Sequence, residues 1–63
     1  MIDWIEIRDD RHWMNAEGTA TDKPSEFYIE DEIKKRGYGC ENISIYHDGL
    51  QQTWRFTARL LEI

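Results

Sequence analysis

Residues 25–37 carry start and stop signals for a single helix, and this segment limits the folds that are open to the chain. Ser25 is placed to cap the first turn, because its hydroxyl can accept a hydrogen bond from an amide that has no helical partner. Gly37 can adopt the left-handed conformation that ends a helix. Ile29 and Ile33 are four residues apart and therefore lie on one face. The sequence predicts one helix with an apolar face, and a strand over its first two turns is the alternative.

The N-terminal segment favours β-structure. Residues 2–8 are rich in residues that prefer strands, and we expect Ile5 and Ile7 to point inward while Trp4 covers the opposite face. The two aspartates that follow are typical of a turn. Residues 11–15 are then the candidate for a second strand, although the turn lacks the glycine that a tight hairpin prefers.

The last third of the chain is predicted to form a hairpin. In residues 42–47, strict alternation places two isoleucines and His47 on one face. Asp48 followed by Gly49 is a strong signal for a two-residue turn. The alternative is a longer connection that includes residues 50–52.

Residues 53–63 alternate throughout and are predicted to form a long strand near the centre of the sheet. Its apolar face carries Trp54, Phe56, Ala58 and Leu60. Its polar face carries Arg55, Thr57 and Arg59. Leu61 and Ile63 continue on the polar side, which indicates that the last residues are covered on both faces.

Together these segments predict an α+β fold: a small antiparallel sheet of three to four strands with one helix packed on one face, in β(β)αββ order. The helix would pack on apolar strand residues, namely Ile43, Ile45, Trp54 and Phe56. The polar stretch of residues 18–25, which contains Pro24, is the only convincing linker. Both sides of it fit one domain of residues 1–63.

A chain of 63 residues lies near the lower limit for a domain that folds without a covalent staple. Its single cysteine, Cys40, cannot form an internal disulfide, which is typical of a reducing compartment. The first residues lack the basic and apolar regions of a signal peptide, and no apolar run is long enough to span a bilayer. We therefore expect a soluble, cytoplasmic protein. Dimerisation would compensate for a thin core, so a homodimeric structural subunit that associates through its sheet edge is one functional hypothesis.

The formal net charge of −5 argues against nucleic acid as a partner, because a negative field repels phosphate. An acidic surface favours basic protein partners, and it also keeps a small domain soluble. A second hypothesis involves Arg55, Arg59 and Tyr46, which alternation places on one sheet face. Such a face can stack the bases of single-stranded RNA, so a single-stranded RNA-binding domain is the alternative.

Motifs for catalysis or for a cofactor are lacking in the sequence. The candidate soft metal ligands are His12, Cys40 and His47, and their spacing does not fit a zinc site. Gly37 and Gly39 are not followed by the helix that a phosphate-binding loop requires. We therefore expect no enzymatic activity, no metal and no cofactor.

By elimination, the predicted function is that of a non-enzymatic protein-binding module, a small acidic inhibitor or adaptor. The candidate partner-binding residues are acids of the helix and of the first turn together with one tryptophan: Asp9, Asp10, Trp13, Glu30, Asp31 and Glu32. Each has an ordinary interpretation, in which the acids are solvated surface and Trp13 fills the core. The size and acidity are typical of proteins that phages and mobile elements encode to block a basic, nucleic-acid-binding surface of a host protein.

Overall fold

The computed structural model describes residues 2–10 and 13–61. Its elements are β1 (Ile2–Asp9), β2 (Met14–Ala20), α1 (Glu26–Lys35), β3 (Gly39–Asp48) and β4 (Thr53–Leu61). The strands form one four-stranded antiparallel sheet in the order β1-β2-β4-β3, and the helix packs on one face of it. The α+β prediction is confirmed, and β4 lies inside the sheet as expected.

The helix begins and ends where the sequence signals indicated. The hydroxyl of Ser25 accepts a hydrogen bond from the backbone amide of Tyr28 at 3.1 Å, which satisfies one donor of the first turn. Gly37 has a φ of +93°, the left-handed conformation that stops the helix. Ile29 and Ile33 are fully buried against the sheet. The helix, and not the alternative strand, is therefore correct.

The core lies between the helix and one side of the sheet. Its buried members are Ala16, Ile29, Ile33, Phe56, Ala58 and Leu60. Partly buried residues packed against it include Ile5, Ile7, Ile43 and Ile45, in agreement with the predicted faces. Trp54 is only partly buried and lies at the border of the core, where its ring contacts His47 edge-on and Lys23 Nζ lies 5.6 Å above it. The prediction that Trp54 packs under the helix is not confirmed.

The second strand differs most from the prediction. It spans Met14–Ala20 instead of residues 11–15, and the first part of the expected linker, residues 18–20, belongs to it. The connection to the helix is correspondingly short. The strand was misplaced in the prediction because its inward residues are small. Ala16, Gly18 and Ala20 give almost no hydrophobic alternation.

The small side chains of β2 are required by the aromatic ring beside them. Gly18 is paired with Phe56 of β4, and a Cβ atom added to Gly18 would lie 2.7 Å from Cε2 of that ring. It would also meet the carbonyl oxygen of Trp4. Close packing therefore requires glycine at position 18. The sequence had been interpreted as a linker at this position.

The β3–β4 connection is also longer than predicted. Residues 49–52 form the loop, so Asp48 and Gly49 are not a two-residue turn and the longer alternative is correct. Asp48 Oδ1 accepts hydrogen bonds from the amides of Leu50 at 3.0 Å and Gln51 at 3.2 Å. Gln52 has a φ of +53° and returns the chain to β4. The aspartate organises this loop through its side chain, as is common for Asp at a turn.

Leu61 does not have the cover that was predicted for both faces at the end of β4. Its side chain lies on the face of the sheet that points away from α1, and 41% of the residue is exposed. Within residues 2–10 and 13–61, that face is covered by no further element. The other residue of this prediction, Ile63, lies outside the described residues.

Candidate functional site

The tip of the β1–β2 hairpin holds an exposed tryptophan. The amide of Asp10 donates to the carbonyl oxygen of Trp13 at 3.0 Å, and the amide of Trp13 donates to Oδ1 of Asp10 at 2.8 Å. Trp13 is 66% exposed, so it does not fill the core. An exposed aromatic residue of this size is suited to anchor an interface, since its burial is strongly favourable.

The neighbouring carboxylate ties this hairpin to the chain that follows the helix. Asp9 Oδ2 accepts a hydrogen bond from the hydroxyl of Tyr38. Asp9 and Asp10 therefore have defined positions beside Trp13. We call these three residues (Asp9, Asp10 and Trp13) the hairpin tip.

The three helix acids do not form one uniform surface. Consecutive helical residues are rotated by about 100° from one another, so Glu30, Asp31 and Glu32 point in different directions. Asp31 Oδ2 lies 3.3 Å from Lys35 Nζ, and Glu32 Oε2 lies 3.0 Å from Arg36 Nη1. The hydrogen bond from Arg36 is the main cause that lowers the pKa of Glu32. Two of the three acids are thus already paired within the helix.

Glu30 differs from its two neighbours. It is exposed, and within the part of the chain that the structure describes it makes no ion pair. Its charge is available to a partner, whereas the side chain of Glu32 is only 20% exposed. Of the sequence-predicted residues, the structure therefore brings together Asp9, Asp10 and Trp13, and it places the helix acids on a separate element.

A shallow groove of about 310 Å³ lies between the edge of β1 and the helix. Its charged lining residues are Asp3, Glu32 and Arg36. Glu32 is bound to Arg36, and Asp3 Oδ2 accepts a hydrogen bond from the Thr21 hydroxyl at 2.6 Å. These carboxylates are held in structural contacts, so the groove does not present a free acid and base to a substrate.

The candidate metal ligands do not converge among the described residues. Cys40 is paired with Leu60 near one end of β3, and His47 is paired with Trp54 near the other. Burial is the main cause that raises the pKa of the Cys40 thiol, which keeps it protonated and weakens it as a ligand. Groups of three or more potential ligands are absent from residues 2–10 and 13–61. His12 lies outside these ranges.

The sheet side that points away from α1 is a second exposed surface, which we call the open face. Twelve of its residues form three rows across the strands in the order β1, β2, β4, β3, and Asp48 and Leu61 lie on the same face beyond these rows. The aromatic row contains Trp4, Thr19, Arg55 and Tyr46. The central row contains Glu6, Glu17, Thr57 and Ser44. The arginine row contains Arg8, Asn15, Arg59 and Glu41.

The arginines of the open face are paired with acids of the same face. Arg55 Nε lies 3.0 Å from Asp48 Oδ2, and Arg59 Nε lies 3.7 Å from Glu41 Oε1. Arg8 Nη2 lies 2.9 Å from Glu17 Oε1. With Glu6 included, the face carries one more carboxylate than arginine. The predicted placement of Arg55, Arg59 and Tyr46 on one face is correct, but this charge balance gives no support to binding of RNA phosphates.

Sequence reasoning missed the contribution of β2 to the open face. Asn15 and Glu17 complete two of the rows, and Asn15 Oδ1 is buried without a hydrogen-bond donor in the described part of the chain. The alternation of Asn15, Glu17 and Thr19 with small residues was the available signal. It is weak, because the intervening residues are alanine and glycine.

Comparison of the chain with models of protein families, with curated proteins and with solved structures found no match. Among the described residues, the only helix is too short and too polar to cross a membrane.

Proposed function

We propose that this protein is a non-enzymatic protein-binding module, a small acidic inhibitor or adaptor, and that its hairpin tip engages a basic surface of a partner protein. The observation that carries the proposal is the 66% exposure of Trp13, whose backbone is held by hydrogen bonds with Asp10. Tryptophan is among the residues that contribute most to protein interfaces, because it buries a large area with few rotatable bonds.

The charge of the chain supports a basic partner. The net charge of −5 produces a field that attracts a cationic surface and accelerates encounter with it. Asp9 and Asp10 bring carboxylates next to the anchoring indole. Glu30 extends the negative charge on the exposed side of the helix, whereas Asp31 is paired with Lys35 and Glu32 serves mainly to hold Arg36.

A basic surface that normally holds nucleic acid is the partner that this arrangement fits best. Carboxylates can occupy the positions of phosphates opposite arginine and lysine side chains, because both groups accept charge-assisted hydrogen bonds. The protein would then act as an inhibitor by competition with nucleic acid.

The proposal is tested by quantitative affinity capture from cells that encode the protein. Trp13→Ala removes the anchor, and Leu50→Ala is the matched control, since Leu50 is 96% exposed at the opposite end of the sheet. We expect a basic protein that the wild type and Leu50→Ala retain equally. The affinity of Trp13→Ala for this protein should fall about 30-fold, the effect of losing an interface hot spot of about 2 kcal/mol, and its recovery should fall accordingly. The proposal fails if every captured protein is retained equally by Trp13→Ala.

The helix acids are tested separately by the double variant Glu30→Lys and Asp31→Lys, which leaves the bond between Glu32 and Arg36 intact. We expect weaker capture and a smaller dependence on salt concentration, because the two carboxylates act through the field. Unchanged capture at low salt would limit the binding surface to the hairpin tip.

A further inference from the structure

We propose that two copies of this chain associate through their open faces, around a two-fold axis that runs along the strands between β2 and β4. A two-fold contact requires a surface that is complementary to itself after rotation. The rows of the open face meet this condition. The dimer does not require the function proposed above, since it uses a different surface.

Rotation about this axis places β1 of one copy over β3 of the other, and β2 over β4. Each row then faces the same row of the second copy with the order of its residues reversed. In the arginine row, Arg8 then faces Glu41 of the second copy. By symmetry the contact is made twice. Both residues are accessible, with side-chain exposures of 52% for Arg8 and 46% for Glu41. Within one chain, Arg8 pairs with Glu17 and Glu41 pairs with Arg59 on the same face. The contact between Arg8 and Glu41 of the second copy would join these ion pairs across the interface.

The same row places Arg59 of the second copy opposite Asn15. Because Asn15 is neutral and only partly buried, this arginine meets no like charge across the contact.

The aromatic row supplies the apolar part of the contact. Trp4 is 48% exposed and Tyr46 is 50% exposed, and they stand at opposite edges of the sheet. The rotation brings Trp4 of one copy over Tyr46 of the other. Packed sheets are separated by about 10 Å, a gap that two facing aromatic side chains can fill. Both rings would lose the water contact that they have in the single chain.

The central row distinguishes this axis from the other aligned arrangement. Around the strand-parallel axis, Glu6 faces Ser44 and Glu17 faces Thr57, so each carboxylate meets a hydroxyl. An axis across the strands would place Glu6 on Glu6 and Glu17 on Glu17 of the second copy. Like charges opposed in this way are unfavourable when water is removed. The charge pattern therefore selects the axis along the strands.

The size of the face sets the expected strength. The two longest dimensions of the chain are 33 and 22 Å, so one face covers at most about 700 Å² in projection. A typical stable interface buries about 800 Å² per partner, and we therefore expect a reversible dimer with a dissociation constant of about 1–100 μM. In such a dimer both hairpin tips lie at the same end, which would present them to a partner as a pair.

The first test is sedimentation equilibrium of the whole chain from about 1 μM to about 1 mM, the range in which a dimer of this size dissociates. The single variants Arg8→Glu and Glu41→Arg each place like charges opposite one another twice in the dimer. We expect each to keep the 7.6 kDa mass of one chain at concentrations where the wild type has twice that mass. The matched controls are Lys34→Glu and Asp22→Arg, which reverse exposed charges away from the open face and should leave the dimer intact.

The decisive measurement is a mixture of the two single variants. In a mixed pair, each introduced charge faces an opposite charge, and the remaining contact is that of the wild type. We therefore expect the mixture to recover the dimer mass. Positions 8 and 41 lie on opposite edges of one sheet, about 14 Å apart at the usual strand spacing, so the recovery cannot arise within one chain. It would also show that both variants fold.

A second measurement does not depend on variants. In a mixture of isotope-labelled and unlabelled wild type, we expect filtered nuclear Overhauser contacts between the rings of Trp4 and Tyr46, which are too far apart within one chain to give them. A wild type that stays monomeric at about 1 mM would overturn the proposal. So would a dimer that lacks these contacts, or a mixture of Arg8→Glu with Glu41→Arg that remains monomeric.

Discussion

Asp10 and Trp13 hold each other across the tip of the β1–β2 hairpin through two hydrogen bonds. One joins the Asp10 amide to the Trp13 carbonyl oxygen at 3.0 Å, and the other joins the Trp13 amide to Asp10 Oδ1 at 2.8 Å. The aspartate thus fixes the backbone from which the exposed indole projects. A binding residue that is ordered before the partner arrives loses less conformational entropy on association.

The first prediction concerns this pair. Asp10→Ala removes the side-chain acceptor, so the amide of Trp13 should exchange with solvent faster, while amides in the middle of β2 keep their protection. Asp10→Asn, which retains an acceptor oxygen, is the matched control and should exchange as the wild type does. Hydrogen exchange followed by NMR measures both. Equal protection of the Trp13 amide in Asp10→Ala and wild type would show that the side chain does not order the tip.

The second prediction concerns the close contact at Gly18. Gly18→Ala introduces a Cβ atom that would lie within 3 Å of the Phe56 ring and the Trp4 backbone, so the sheet or the ring must shift. We expect a loss of about 1–3 kcal/mol in the free energy of unfolding, as for overpacking in other cores. Urea denaturation measures it.

The control for this variant is Gly49→Ala. A Cβ atom at Gly49 meets no atom within 4 Å, and we expect the free energy of unfolding to change by no more than about 0.5 kcal/mol. If Gly18→Ala proves as harmless as Gly49→Ala, then the register between β2 and β4 is not the one described here.

The third prediction concerns pH. The amide of Gln51 is the main cause that lowers the pKa of Asp48, and the side chain of Arg55 is the next. A carboxyl whose pKa is lower in the folded state stabilises the fold above its unfolded pKa of about 3.9, and this contribution is lost as pH falls through the folded value. Asp48→Ala should therefore lower Tm near neutral pH, and its difference from wild type should shrink in acid.

Thermal unfolding followed by circular dichroism between about pH 7 and pH 2 measures this difference. Asp22→Ala is the matched control, because Asp22 is exposed in the loop before the helix. We expect this variant to have a Tm close to that of the wild type near neutral pH. A Tm difference for Asp48→Ala that is the same at both ends of the range would contradict the assigned role of the carboxylate.

The sequence was most informative where local chemistry determines the structure. Ser25 and Gly37 act within one turn of the helix ends, so their signals do not depend on the rest of the fold. The strand faces of β3 and β4 were equally readable, since large apolar residues alternate with polar ones there. The placement of Ile5 and Ile7 against the core was also predicted correctly, although residues 2–8 alternate poorly and were assigned to a strand from their β-forming residues.

The predictions from sequence were wrong where packing between distant segments determines the structure. Gly18 and its neighbouring alanines read as a polar linker, because nothing local indicates that Phe56 fills the space above them. Asp48 and Gly49 matched a two-residue turn, yet hydrogen bonds to Asp48 favour a longer loop. Leu61 was expected to be covered because it is an apolar residue on the polar side of its strand. The structure leaves that face of the sheet uncovered, and alternation within one strand cannot indicate this.

The candidate site was predictable only in part. The adjacent aspartates and the tryptophan outside the clear amphipathic patterns pointed to the hairpin tip. The pairing of Asp31 with Lys35 and of Glu32 with Arg36 follows from helical spacing. The distances of these ion pairs and the exposure of each carboxylate could be known only from the structure. The self-complementary rows of the open face depend on the register of all strands, which no single segment encodes.

Site-specific photo-cross-linking shows whether Trp13 contacts a basic partner protein, as we propose. A photo-reactive phenylalanine derivative is placed at position 13 and, as the control, at position 50, which is also exposed but lies at the other end of the sheet. In lysates of cells that encode the protein, adjusted to different salt concentrations before irradiation, we predict a covalent adduct with one basic protein from position 13 only, with a yield that falls as the salt concentration rises. Equal adducts from both positions, or none from position 13, would contradict the account.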